Sequence, residues 1–370
     1  MKIKKYIPWV SLFVLGLGIL SKAIMGIDDG HQHDFVSYYY GAKALLLGLN
    51  GYDAHTVSAL SGQTHQSHLR FVYPPQMAWL FAPLTFFSFT HARLLFLGIK
   101  LVAGVSLIWL FLKYFVQKDK WVVFAIIALF AFRGPFTSDI LAGNIATFES
   151  LFLWGGFLYI LQKRGYLGVT LIAIAGSFKL LPLVFLGLIL LTSIPHKWRI
   201  FGTGVGIAMA IQGLGFIVMP KAYHTFLTSP NPLDSSGYVN PSILAWLQFD
   251  VTPWLSTNGI FIPTFLIYFA WIIVFLSCMA VFFWKRRNSY PVHIQFAIAT
   301  LSYALILPRL KDYSFILFVI PAYYVILSLS KPWQKTLVLA LFCVSLWPYH
   351  HWLMLLLSLV ILTKKGPRLE

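Results

Sequence analysis

Apolar residues follow one another along this chain in runs too long and too frequent for a water-soluble fold. The stretches 6–25, 92–113, 121–134, 147–161, 166–178, 180–195, 199–219, 260–284, 292–308, 313–329, 334–349 and 350–363 are all dominated by apolar side chains. A helix needs about 20 such residues to cross about 30 Å of hydrocarbon. Inside the bilayer, backbone polar groups must be paired within the segment. Only 11% of the 370 residues are charged while 59% are hydrophobic, against about a quarter charged in a soluble domain. So few charges cannot clothe a core of this size in water. The sequence therefore predicts an all-α polytopic membrane protein, with residues 1–370 forming a single integral domain of about 12–13 transmembrane helices. It excludes a soluble enzyme, a disordered tail and a nucleic-acid-binding module.

Charge then sets an orientation. Lys and Arg number 28 and Asp and Glu 11, for a net charge of +17, and most of the excess sits in short clusters between apolar runs, where cytoplasmic loops keep their cations. Lys2, Lys4 and Lys5 precede the first run; Ser21-Lys22-Ala23 imitates a signal-peptidase site, but many further apolar segments follow, so the first run is expected to stay as a helix. One further run, 75–90, is entered through Pro74-Pro75 and contains Pro83. If it crosses fully, Lys113, Lys118 and Lys120 fall outside. If it enters and returns, they fall inside, as do Lys163 and Arg164, Lys197 and Arg199, Lys285 to Arg287, Lys331 and Lys335, and Lys364 and Lys365. The expected protein is thus a multi-pass component of the plasma (inner) membrane with both termini cytoplasmic. Its outer face carries a first loop at 26–74, a break at 135–146 and a second loop at 220–258. Arg133, Lys179, Arg309 and Lys311 are left on that face against the sign rule. Charges at membrane depth cost about 2.5–3.5 kcal/mol each and mark functional candidates, the alternative being side chains that snorkel from helix ends. Cys278 and Cys343 lie far apart in apolar runs, with neither a disulfide framework nor zinc spacing.

Chemistry concentrates in the first outer loop. Asp28, Asp29, His31, His33 and Asp34 follow the first helix. Phe35, Tyr38, Tyr39, Ala42, Leu45 and Leu46 then form an apolar stripe opposed by Ser37, Tyr40 and Lys43, predicting a helix over 35–49 that lies in the interface with its aromatic residues at headgroup level. Asp34 falls at its N-terminal end, where a carboxylate is favoured as a cap and by the helix dipole; a cap and nothing more is the plain alternative to a catalytic role. The histidines of this loop, His31, His33, His55, His65 and His68, have no regular spacing. An isolated His31-x-His33-Asp34 is a weak divalent-metal signal, so no metal or other cofactor is expected.

Two segments, HDFVSYYYGAKALLLGLNGYD (His33 to Asp53) and VYPPQMAWLFAPL (Val72 to Leu84), resemble the opening of glycosyltransferase family 87, polytopic enzymes of the GT-C superfamily that use polyprenyl-phosphate sugars. The likeness continues in order through LAGNIATFESLF (Leu141 to Phe152), AGSFKLLPLVFLGLILL (Ala175 to Leu191), Asn240-Pro241-Ser242 and LPRLKDYSFILFVIPA (Leu307 to Ala322). Where the family usually has Gly-Gln-x-Asn, this chain has Gly143-Asn144. The resemblance implies a GT-C-like bundle and inverting transfer of mannose or another hexose or pentose. The donor would be a polyprenyl-phosphate carrier and the acceptor a hydroxyl of a glycan or glycolipid. It places Asp34 as the base and Tyr52, Asp53, Tyr73, Pro74, Lys179 and Arg309 in the active-site lining; Asn144, Asn240 and Tyr313, from the matching segments, and the stranded cation Lys311 are counted with them as substrate-binding candidates.

Elementary chemistry agrees with that assignment. Displacing a lipid phosphate from an anomeric carbon needs a base for the acceptor proton and positive charge for the departing phosphate. Asp34 suits the first, and Lys179, Arg309 and Lys311 the second. A transporter or flippase of lipid-linked sugars is the competing expectation, although no internal repeat is visible. Another outer-face lipid-dependent transferase, such as an O-antigen ligase, is the third.

Overall fold

The structure is a computed structural model and describes residues 16–18, 21, 32–62, 71–192, 194–228, 240–286, 289–344 and 351–365. No strand occurs among the described residues. In chain order come α1 (His33–Leu46), α2 (Ala54–Ser61) and α3 (Gln76–Phe81), the last running on as a 3-10 turn, Ala82–Phe86. Next are α4 (Phe89–Tyr114), α5 (Trp121–Ile126) with a π-helical turn Ile127–Ala131, α6 (Arg133–Ala142), α7 (Ala146–Leu161) and α8 (Gly165–Phe178). A 3-10 segment, Leu181–Gly187, leads into α9 (Leu188–Leu191), followed by α10 (Lys197–Val218), α11 (Pro220–Thr228), α12 (Ile243–Trp246), α13 (Thr252–Thr257), α14 (Thr264–Arg286) and α15 (Val292–Ile306). The 3-10 segment Asp312–Phe318 continues as α16 (Val319–Ser328), and α17 (Pro332–Val344) and α18 (His351–Lys365) close the described chain.

The chain is an all-α membrane protein. Among the described residues α4, α10 and α14 are long and apolar enough to cross a bilayer, and α5 with α6 makes a fourth if that pair, bent by 52°, is one span. Six further apolar helical stretches of 10–17 residues coincide with runs read from the sequence. At 1.5 Å per residue, 16 residues reach only about 24 Å, short of about 30 Å of hydrocarbon. This is where the count of 12–13 and the described structure part. The runs 166–178 and 180–195 illustrate this: they are separated at Lys179, which is extended (φ −143°, ψ 140°) between α8 and the next 3-10 segment, and neither is a full span in length. The first predicted crossing, 6–25, lies largely outside the described residues. The stretch 75–90 forms only the short α3 and its 3-10 turn, of six and five residues.

Two expectations about the outer segments change. The first-loop helix spans His33–Leu46 rather than 35–49, and Phe35, Val36, Ser37, Tyr38, Tyr39, Gly41, Ala42 and Ala44 are all buried. Most of it is therefore packed against protein, with Tyr40, Lys43 and Leu45 half-buried and Leu46 exposed. The reason is an aromatic bed supplied by α3 and α4: Phe35 stacks on Phe96 at 4.8 Å and meets Phe81 and Phe89, while the Tyr39 hydroxyl donates to the Phe87 carbonyl at 2.7 Å. The stretch 220–258 is not an irregular loop either. It carries α11, α12, a π-helical turn and α13, with 229–239 outside the described residues.

The buried residues fall into two large clusters. One joins the C-terminal half of α4 with α5 to α8, α15 and α16 around Trp154, Phe157, Phe296 and Tyr323. The other gathers Phe35, Tyr38, Tyr52, Phe71, Met77 and Phe81 with Phe96, Ile145 and Phe178. Elements of both clusters line the cavity described next.

Candidate active site

One wall is built on the turn that ends α6. The Asn144 N–H donates to the Asp139 carbonyl and the Gly143 N–H to the Ile140 carbonyl, both at 3.1 Å, with Gly143 left-handed at φ 66°. This is the paired closure that satisfies the orphan carbonyls at a helix C-terminus, and it wants glycine at the left-handed position. A Cβ on Gly143 would lie 2.8 Å from Phe35 Cβ, so the missing side chain also lets α1 come close. The Gln32 N–H then donates to the Leu141 carbonyl at 2.7 Å and ties the start of α1 to the turn.

That closeness brings Asn144 to Asp34. The Asn144 amide oxygen accepts from the Ala146 N–H at 3.0 Å, which fixes the amide so that its NH2 faces α1. Nδ2 donates to Asp34 Oδ2 at 2.7 Å and lies 3.1 Å from the Tyr38 hydroxyl and 3.3 Å from that of Tyr73. The Tyr38 hydroxyl donates to that of Tyr73 at 2.9 Å, and the Tyr52 hydroxyl donates to the Tyr73 carbonyl at 2.8 Å. Burial, reinforced by the Asp34 charge, pushes the Tyr38 and Tyr73 hydroxyls above the usual phenol range, so they stay protonated. Asp34 is not an N-cap: Gln32 holds that position without a side-chain bond, and Asp34 sits in the first turn of α1. Its side chain is 23% exposed, with His33 Nε2 3.8 Å from Oδ1 on the solvent side.

The cationic wall comes from two other places. α7 and α8 form an antiparallel hairpin, so the first turn of α7 lies beside the last of α8, and Lys179 Nζ meets Glu149 Oε2 at 2.7 Å. The loop after α15 carries Arg309 and Lys311 and is braced from both sides. Tyr268 and Trp271 of α14 donate to the Ile306 and Leu305 carbonyls at 2.6 and 3.0 Å. Ser242 donates to the Pro308 carbonyl at 2.8 Å, and Asn240 Oδ1 accepts from the Leu310 N–H at 3.0 Å.

Between these walls is a cavity of about 330 Å³. Of the residues expected from the sequence, Asp34, Tyr73, Pro74, Lys179, Arg309, Lys311 and Tyr313 line it. Asn144, buried behind the lining, does not face it but touches Asp34 and Tyr73, which do. Tyr52 supports Tyr73 from behind, and Asn240 braces the Arg309 loop. Asp53 lies apart, exposed, as the N-cap of α2: it accepts from the His55 and Thr56 N–H groups and from the Thr56 hydroxyl at 2.8 Å. Those bonds, the hydroxyl first, hold its carboxyl below the usual range. Arg133, the fourth stranded cation, does not line the cavity. Sequence reasoning passed over Glu149 and Tyr303, which do line it. It also passed over the buried pair Lys100–Asp139, at 3.0 Å, behind the Asn144 turn. A lysine near the middle of a long helix whose central turns are mostly apolar was the available signal. Among the described residues no group of three or more His, Cys, Asp or Glu side chains is placed to hold a metal ion; His31, His65 and His68 lie outside them.

This arrangement offers a fixed carboxylate, phenolic hydroxyls and cations around a space the size of a small ligand. Ligand pockets run to about 300–1,000 Å³. Leu180, Leu181, Leu307, Leu317 and Phe318 give the cavity an apolar share as well. No curated protein and no solved structure shows significant similarity to the chain. The sequence model of Glycosyltransferase family 87 matches residues 71–308, a stretch that includes Tyr73, Pro74, Asn144, Lys179 and Asn240 and begins after Asp34. That match extends over more than half of the chain, and the protein belongs to glycosyltransferase family 87.

Proposed function

We propose that the protein moves a hexose or pentose, with mannose the first sugar to test, from a polyprenyl-phosphate carrier to a hydroxyl of a glycan or glycolipid, with inversion at the anomeric carbon. In this reading Asp34 takes the acceptor proton while the acceptor oxygen bonds to the anomeric carbon. The bond from that carbon to the phosphate oxygen breaks with its electron pair, and the lipid phosphate leaves between Lys179, Arg309 and Lys311. The observation that carries the reading is that a single cavity is lined by Asp34 and by all three of those cations. A base and a charge sink are the two things such a displacement needs. The Asn144 amide, pinned by Ala146, holds Asp34 in one place, and placement of the reacting groups is a large part of catalysis. Tyr73, which accepts from Tyr38 and Asn144, keeps its own proton to offer to a sugar or phosphate oxygen. The leucines and Phe318 of the lining suit the first isoprene units of a carrier whose tail stays in the bilayer. The lysine clusters favour an outer-face site with both termini in the cytoplasm. Family membership favours this transferase reading over a flippase.

The test is Asp34→Asn in purified protein supplied with polyprenyl-phosphate sugar and a hydroxyl acceptor. Donor binding and protein yield are expected to persist while transfer falls by at least about 10²–10⁴-fold, the usual worth of a general base. Transfer by Asp34→Asn at close to the wild-type rate would refute the assignment.

A further inference from the structure

Resting on Asp34 as the base, we infer that the buried Lys100–Asp139 pair is a positioning device that aims the Asn144 amide. Lys100 and Asp139 are almost wholly enclosed, with side-chain exposures of 1% and 0%. Lys100 Nζ spends all three of its protons in one place. It donates to the Asp139 and Asn144 carbonyls and lies 3.0 Å from Asp139 Oδ2. Asp139 Oδ2 also accepts from the Thr147 hydroxyl at 2.6 Å. The ammonium thus bridges the two ends of the segment 139–144, and the carboxylate ties that segment to the first turn of α7. Asn144 stands between those anchors, and its side chain is the one that meets Asp34.

Stability alone does not explain the pair. A buried ion pair is commonly no better than apolar residues of the same volume, and Asp139 Oδ1 is buried with no hydrogen-bond partner. What the pair does supply is direction. A charged donor on the Asn144 carbonyl, together with the Ala146 N–H on its amide oxygen, leaves that residue few orientations. Lys100 and Asp139 touch no reacting atom and act through Asn144.

The experiment is a cycle of four full-length proteins in detergent or liposomes: wild type, Lys100→Met/Asp139→Asn, Asn144→Ala, and the three substitutions combined. The pair variant removes both charges at once, so neither is stranded. Its kcat is expected to fall about 10- to 100-fold, the scale of a small misplacement of a reacting group, with the donor KM within about threefold of wild type. In the Asn144→Ala background the same two changes are expected to cost less than about twofold, because they act through a side chain already gone. An equal loss in both backgrounds, a wild-type kcat, or a change confined to KM overturns the proposal. Should the pair variant not fold, Thr147→Val loosens Asp139 without removing a charge; a kcat loss that vanishes beside Asn144→Ala supports the proposal, and an unchanged kcat overturns it. Active Asp34→Asn would refute the base while leaving the Lys100–Asn144 coupling readable in the cycle.

Discussion

Replacing Gly143 by alanine tests the placement of the site through one methyl group. Gly143 holds φ 66°, a left-handed conformation that costs an L-residue about 1–2 kcal/mol. The new Cβ would lie 2.8 Å from Phe35 Cβ, 3.2 Å from Gln32 Cβ and 3.3 Å from the Phe35 nitrogen. None of these atoms can rotate away, because each belongs to the backbone or is fixed to it. Overpacking of this kind costs about 1–3 kcal/mol, for a total of about 2–5 kcal/mol. Normal carbon–carbon contact at about 3.5–4.0 Å requires α1 to recede by about 0.7–1.2 Å. The same shift would stretch the 2.7 Å bond between Asn144 and Asp34 to as much as about 3.4–3.9 Å, beyond hydrogen-bond range. Misplacement by about 1 Å can cost about 10²-fold in rate. Transfer kinetics on purified Gly143→Ala should therefore show kcat down by about that factor, with the melting temperature lowered too. Gly48→Ala is the matched control: Gly48 is left-handed at φ 74°, with nothing within 4 Å of its Cβ position. It should lose about 1–2 kcal/mol and keep its kcat. A near-wild-type kcat in Gly143→Ala, or equal losses in the two variants, would refute the reasoning.

Lys179→Ala and Arg309→Ala should raise the KM for the lipid donor more than that for the acceptor, measured by varying each substrate in turn; equal effects would count against phosphate binding. Because Lys179→Ala strands a Glu149 side chain that is only 9% exposed, at a cost of about 3–5 kcal/mol, Lys179→Met/Glu149→Gln should restore melting temperature without restoring donor use. Asp53→Ala should cost about 0.5–2 kcal/mol as a lost helix cap and leave kcat alone, and a large kcat loss would return Asp53 to the site. The Asp53 carboxyl is lowered on folding, so its stabilising share is present above the normal carboxylate range and disappears as pH falls through the depressed value. The melting temperatures of wild type and Asp53→Ala should therefore converge in acid.

Much of the helical framework was legible because hydrophobic runs are a local property. Each long run reports its own helix, and Pro-Pro at 74–75 and the turn residues before Asp53 mark where helices begin. Asp34 stood out for a similar reason, as the carboxylate immediately ahead of an aromatic helix. Its role as more than a cap was not legible, since that depends on which atom its oxygens meet. Asp53 shows the converse: Asp-x-x-Thr at a helix start carried a capping signal, and only resemblance drew it toward the substrate. Lys100 went unnoticed because one charge barely lowers the hydropathy of a long apolar helix. Glu149, one of only eleven acidic residues, was given no role because its partner, Lys179, is 30 residues away.

Composition and periodicity by themselves determined the solvent this chain folds in and most of the places where its helices run, since transfer from water to lipid is summed residue by residue. Only the tertiary structure decided that Asn144 reaches Asp34 across 110 positions, that the Arg309 loop is braced by Ser242 and Asn240, and that both meet at one cavity. Those meetings depend on close approaches such as that of α1 to Gly143. Such an approach is set by the shapes of two surfaces together and is written in neither stretch alone.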